Sequence, residues 1–153
     1  MIDNTNSDKD LGSIQKIFLV FLSLFLVVSL FFFRSGFKAT AILDQLAKNS
    51  LEPDMALSNG RPTVFEFYAD WCEACKEMAP DMFESEKIYS PKLDIVLLNV
   101  DNTRWLNLVD KYDVNGIPKL IFFDDKGEFK GLSLGVRKYS ELDQIFLALI
   151  NNS

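Results

Sequence analysis

The sequence predicts an α/β domain built on a mixed central sheet with helices on both faces, preceded by one N-terminal transmembrane helix. Three observations predict it. Helical and strand patterns alternate through residues 39–150 and end in two adjacent strands; early strands separated by helices pair in parallel, and the last two form an antiparallel hairpin. A Cys-x-x-Cys pair sits where a strand hands over to a helix. Residues 17–33, IFLVFLSLFLVVSLFFF, carry no charge.

Residues 1–16 are polar, with Asn, Asp and Ser prominent, and read as a disordered tail. As a helix the apolar run 17–33 rises about 25 Å, near the lower limit for crossing a bilayer. Lys16 and Arg34 bracket it and can snorkel toward the headgroups. It lacks the polar stripe of a core helix. It is also longer than the ~7–15 apolar residues of a signal peptide. Ala39-Thr40-Ala41 resembles a cleavage site, but Arg34 and Lys38 stand between it and the run. The expectation is a single-pass anchor in contact with membrane lipid. Lys9 and Lys16 on one side, against Arg34, Lys38 and Lys48 on the other, do not orient it by the positive-inside rule.

Residues 34–59 read as a linker and a first helix, and 60–150 as the folded domain. Ile42, Leu43, Leu46 and Ala47 give residues 39–50 a helical apolar face. Pro53 and Asn59-Gly60 mark a loop. Thr63 opens a β-branched and aromatic strand over 63–69. Residues 72–89 read as a helix interrupted by Pro80, 94–100 as a strand covered on both faces, and 105–112 as a short helix. Strands at 119–123 and 128–134 flank the turn signal Asp124-Asp125-Lys126-Gly127. The last helix covers about 140–150, with Ser140 as its N-cap.

Composition narrows the chemistry. The chain has 153 residues, a net charge of -6, two cysteines and no histidine. The acidic balance argues against nucleic acid as a partner. Without histidine there is no Ser-His-Asp or Cys-His pair, and two thiolates alone do not fill a zinc site. No metal and no cofactor is expected.

Cys72 falls at a helix start, where unpaired N–H groups and the helix dipole favour a thiolate. Cys75 lies close to one turn onward and can close a ring with it. The expected cycle has Cys72 attacking and Cys75 resolving. Two other readings stay open at this point: buried structural cysteines, or half of a zinc site completed by another chain.

Phe65-Glu66-Phe67-Tyr68-Ala69-Asp70-Trp71-Cys72-Glu73-Ala74-Cys75-Lys76 resembles the active-site stretch of thioredoxins. Pro80, Leu98-Asn99-Val100-Asp101, Gly116-Ile117-Pro118, Gly127 and Gly135 resemble that family's later motifs in order and spacing, over roughly residues 60–150. The resemblance implies the thioredoxin-like fold and protein thiol–disulfide exchange. It implies a cis bond before Pro118, a substrate groove formed by Trp71, Ile117 and Pro118, and a buried Glu66 that accepts the proton of Cys75. The bland alternatives are a solvent-facing Glu66, a core Trp71 and an ordinary turn at Pro118.

Some positions depart from the family pattern. Glu73 and Ala74 replace its usual Gly and Pro, Leu97 its lysine partner of the buried carboxylate, and Lys119 its threonine after the cis-proline. Glu73 opposes part of the dipole effect on Cys72, so a reducing protein is expected. The motifs look most like the anchored thioredoxin-like branch of cyanobacterial and chloroplast thylakoids, the TxlA type. That resemblance implies a domain on the lumenal or periplasmic side and protein disulfide substrates, apocytochromes of cytochrome c and b6f assembly among them. It also implies a membrane electron donor. A non-catalytic adaptor and an anchored disulfide oxidase or isomerase are the alternatives.

Overall fold

The computed structural model describes the backbone of residues 8–153 and the side chains of residues 12–31 and 38–153. The chain divides into two compact units, Met1–Phe37 and Lys38–Ser153. Helix α1 runs Asp8–Asn49. Within it, Gly12–Phe31 is long and apolar enough to cross a membrane, and none of that stretch is buried, which separates it from a core helix. Twenty residues span about 30 Å, the thickness of a bilayer's hydrocarbon core.

Two expectations change here. Residues 8–16 belong to α1 and are not part of a disordered tail; residues 1–7 lie outside the described residues. Residues 34–49 continue the same helix with no separate linker. Neither stretch contains proline, and once a helix is nucleated each further residue costs little to add.

The second unit holds a four-stranded sheet ordered β2-β1-β3-β4. Its strands are β1 (Thr63–Tyr68), β2 (Asp94–Asn99), β3 (Lys119–Phe123) and β4 (Phe129–Leu134). β1 pairs parallel with β2 and antiparallel with β3, and β3 pairs antiparallel with β4. The helices are α2 (Pro53–Ala56), α3 (Glu73–Tyr89), α4 (Leu106–Lys111) and α5 (Tyr139–Asn151).

Side-chain alternation divides the core in two. Val64 and Tyr68 of β1 join Leu43 and Leu46 of α1, the inner face of α3 and Leu142, Phe146 and Leu149 of α5. Phe65 and Phe67 point the other way, toward Ala56 of α2 and the Leu108–Val109 face of α4. All six residues of β1 are buried, as a central strand covered on both sides requires. Burying each large apolar side chain contributes roughly 1.5–3 kcal/mol. The folded unit begins before residue 60, because Leu43 and Leu46 are part of its core.

Smaller differences have local causes. The loop expected around Pro53 contains α2, with Pro53 at its first position, where the missing N–H costs no helical bond. A 3₁₀ turn, Thr103–Trp105, leads into α4. The N-cap of α5 is Lys138, not Ser140; its backbone N–H donates to the Glu141 carboxylate at 2.9 Å. Pro80 lies inside α3 on the exposed side without ending the helix.

Candidate active site

The strand–helix junction after β1 places the two cysteines. Cys72 is the N-cap of α3, with extended backbone (φ -79, ψ 104). Its carbonyl accepts the first helical bond from Lys76 N–H at 3.1 Å. Its sulfur accepts from Cys75 N–H, also at 3.1 Å, so a sulfur atom does the work that a Ser or Asp oxygen does in most caps. Cys72 and Cys75 are joined as a disulfide with Cα atoms 5.3 Å apart. Both cysteines are buried, Cys72 with 6% of its surface still exposed and Cys75 with none.

Glu66 is fully buried, which removes the solvent-facing alternative. By strand alternation it shares the sheet face of Val64 and Tyr68, the face covered by α3 and Cys75. Neither carboxylate oxygen has a hydrogen-bond partner. Desolvation favours the neutral acid and pushes its pKa up to about 8.

Trp71 is 64% exposed and is not a core residue. Its Nε1–H donates to Asp101 Oδ2 at 2.8 Å, which holds the indole beside the junction. Asp101 sits just past β2, its own N–H bound to Asn99 Oδ1 at 2.9 Å. Glu73, next to Cys72, is turned outward and pairs with Lys76 at 2.8 Å, so part of its charge is compensated.

The Ile117–Pro118 bond is cis. Pro118 is buried, and its carbonyl accepts from Gly135 N–H at 2.9 Å. Ile117 is half-buried and packs against the cluster that contains Cys72 and Cys75. Trp71, Val100, Val114, Asn115, Gly116 and Ile117 line a shallow depression of about 250 Å³. The structure therefore gathers Trp71 and Ile117 at one opening and keeps Glu66 inside. Asp101 and the Val114–Asn115 corner were not singled out as site residues from sequence. Asp101 is 30 positions from Trp71, and no local pattern announces that pairing.

Such a site can alternate between a disulfide and a dithiol, with Cys72 meeting a partner and Cys75 releasing it. The Thioredoxin family profile matches residues 43–147. The chain is 48% identical over 93 residues to thioredoxin-like protein HCF164, chloroplastic, of Arabidopsis thaliana, covering 61% of this chain and 36% of that protein. It is 43% identical over 108 residues to the thiol:disulfide interchange protein TxlA homolog of Synechocystis sp., covering 71% of this chain and 60% of that one. The chain thus spans between about a third and three fifths of the length of these relatives. Among solved structures, oxidised thioredoxin O2 of Arabidopsis thaliana superimposes with a TM-score of 0.54 at 30% identity, over 63% of this chain and 85% of that one.

Proposed function

Because this chain belongs to the thioredoxin family, we propose that it is a membrane-anchored protein thiol–disulfide oxidoreductase acting through Cys72 and Cys75. The observation that carries this reading is the Cys72–Cys75 disulfide at the N-cap of α3, with Cys72 keeping 6% exposure and Cys75 none. The Gly12–Phe31 stretch supplies the anchor.

In the reducing direction the Cys72 thiolate attacks one sulfur of a protein disulfide. A Cys72–substrate S–S bond forms, the substrate's own S–S bond breaks, and its electron pair leaves on the other substrate sulfur. Cys75 passes its proton to the Glu66 carboxylate and attacks Cys72 Sγ. The mixed disulfide breaks and the second substrate thiolate leaves. The substrate gains two electrons, the cysteine pair loses two, and a membrane dithiol donor returns them. With its pKa near 8, Glu66 is ionised in about a tenth of molecules at pH 7, so this proton step speeds up toward alkaline pH. Trp71 and Ile117 form the surface against which an extended substrate segment lies, and the cis Pro118, itself buried, fixes the turn of that loop.

The finer reading follows the likeness to HCF164 and to the TxlA homolog. The domain faces the thylakoid lumen or periplasm and keeps protein thiols there reduced, including apocytochrome cysteines in cytochrome c and b6f assembly. Substituting Cys75→Ser tests it, since Cys72 then holds partners as mixed disulfides. In native membranes the expected captures are apocytochromes and an integral-membrane electron donor, with the domain protected from protease added on the cytoplasmic side. Recovery of no covalent partner, or digestion from the cytoplasmic side, would overturn it.

A further inference from the structure

Lys119 opens β3 directly after the cis-proline and is only 7% exposed. Its ammonium donates to the carbonyls of Tyr112 at 2.8 Å and Asp113 at 2.7 Å. No ion pair among the described residues includes it, so its hydrogen-bonding capacity is directed at main chain.

The way α4 ends leaves the Tyr112 carbonyl to Lys119, and the Asp113 carbonyl is shared between Lys119 and Asn115 N–H at 3.0 Å. Val114 N–H bonds back to Val109 C=O at 3.0 Å, and Asp113 N–H to Asp110 C=O at 3.2 Å. Together these are the paired bonds of a Schellman ending, and Asp113 takes the left-handed conformation it requires (φ 47). The motif satisfies Val109 and Asp110. The carbonyls of Tyr112 and Asp113, the second already bound by Asn115 N–H, lie at the negative end of the helix, where a cation is favoured. Lys119 reaches back from the strand to cover both.

The geometry has a consequence for the site. The loop between α4 and β3 carries Val114, Asn115, Gly116 and Ile117, four of the six residues around the depression beside Trp71. One end of that loop is tied to β4 by the Pro118 carbonyl and Gly135 N–H. The other end is tied down by Lys119.

We propose that Lys119 is a positioning residue: by bridging the Tyr112 and Asp113 carbonyls it holds the 113–117 corner in the shape that receives the extended peptide flanking a target disulfide. This rests on the oxidoreductase reading above. Lys119 itself touches neither cysteine nor substrate in the proposed cycle. Its loss therefore weakens peptide recognition more than it slows exchange at sulfur.

The test compares the full chain in detergent micelles with Lys119→Met, which keeps the apolar stem and removes the donors. The substrate is a disulfide-bonded peptide reduced at steady state, with a small dithiol in excess returning two electrons to the Cys72–Cys75 pair each turn and its uncatalysed rate subtracted. KM is expected to rise about five- to tenfold while kcat stays within about twofold, a loss of order 1–1.4 kcal/mol in kcat/KM. Amide hydrogen exchange at Val114, Asn115 and Ile117 is expected to quicken at least tenfold, with α3 unchanged. A wild-type KM in a folded variant would overturn the proposal. Should Lys119→Met not fold, Lys119→Thr replaces it, and failure of both to fold would overturn positioning in favour of a structural role. A wild-type chain that reduces no disulfide would sink the oxidoreductase reading instead, and the exchange measurement would still support or overturn the hold of Lys119 on the loop.

Discussion

Glu66 of β1 lies directly across from Leu97 of β2 in the parallel register, and across from Leu120 of β3 on its other side. An acid flanked by two aliphatic chains, with both oxygens unpartnered, stays protonated to about pH 8. In the unfolded chain it ionises near 4.5. Between those values the native state holds one proton more than the unfolded state, so stability falls as pH rises, by roughly 1.4 kcal/mol per pH unit from this group. Glu66→Gln removes that slope. Chemical denaturation should show variant and wild type nearly equal at pH 5 and the variant a few kcal/mol more stable at pH 8. Parallel curves across this range would contradict the burial argument.

The depth difference between the cysteines predicts unequal reactivity after reduction. Cys72 keeps a small exposed area, and its sulfur accepts the Cys75 amide; Cys75 is fully covered. Thiolate character and access together set alkylation rates. Brief iodoacetamide treatment of the reduced chain should therefore modify Cys72 at least about tenfold faster than Cys75. Peptide mass mapping of the first adduct reads this directly, and equal labelling would remove the assignment of attack to Cys72.

Much of this site is legible in sequence because its chemistry is local. Cys72 and Cys75 are three residues apart, and the strand and helix that place them carry strong period-two and helical patterns. The observed strands differ from their expected limits by one residue at most. What local pattern does not carry is partnership at a distance. Trp71 meets Asp101 across 30 positions, and the buried Lys119 finds its carbonyl partners only where α4 ends. The helix α2 escapes notice because four residues, one of them proline, hold too little periodicity to register. At α5 the cap comes from the Lys138 main chain and Glu141, so Ser140, a good capping residue by type, lies at the second helical position.

Two glycines with similar backbone angles should respond differently to alanine. Gly60 and Gly127 have φ of 81° and 74°, where a Cβ costs roughly 1–2 kcal/mol. At Gly60 a Cβ meets nothing within 4 Å, but at Gly127 it stands 2.5 Å from the Leu57 carbonyl oxygen. That oxygen is backbone and does not swing aside. Gly60→Ala is expected to cost about 1 kcal/mol, and Gly127→Ala roughly 2 kcal/mol more, in the range of strained substitutions. Equilibrium unfolding of both variants measures the gap; equal losses would mean that the Leu57 segment yields.

Ser50 closes the open edge of the sheet. β2 is an outer strand, and its Leu97 N–H points away from β1 and donates to Ser50 Oγ at 3.0 Å. The same hydroxyl donates to Leu46 C=O at 2.9 Å and lies 3.5 Å from Ile95 C=O. One side chain thus stands in for the backbone of a neighbouring strand and leaves less edge for another chain to pair with. Ser50→Ala strands the Leu97 amide in a half-buried place, at an expected cost of about 1–3 kcal/mol. Ser50→Thr keeps the hydroxyl and should recover most of it. Hydrogen exchange at Leu97 separates this cause from a general loss of packing. The amide should exchange faster in the alanine variant relative to Val96 and Leu98, which face the β1 ladder. A uniform change along β2 would mean that Ser50 acts through α1 and not through the edge.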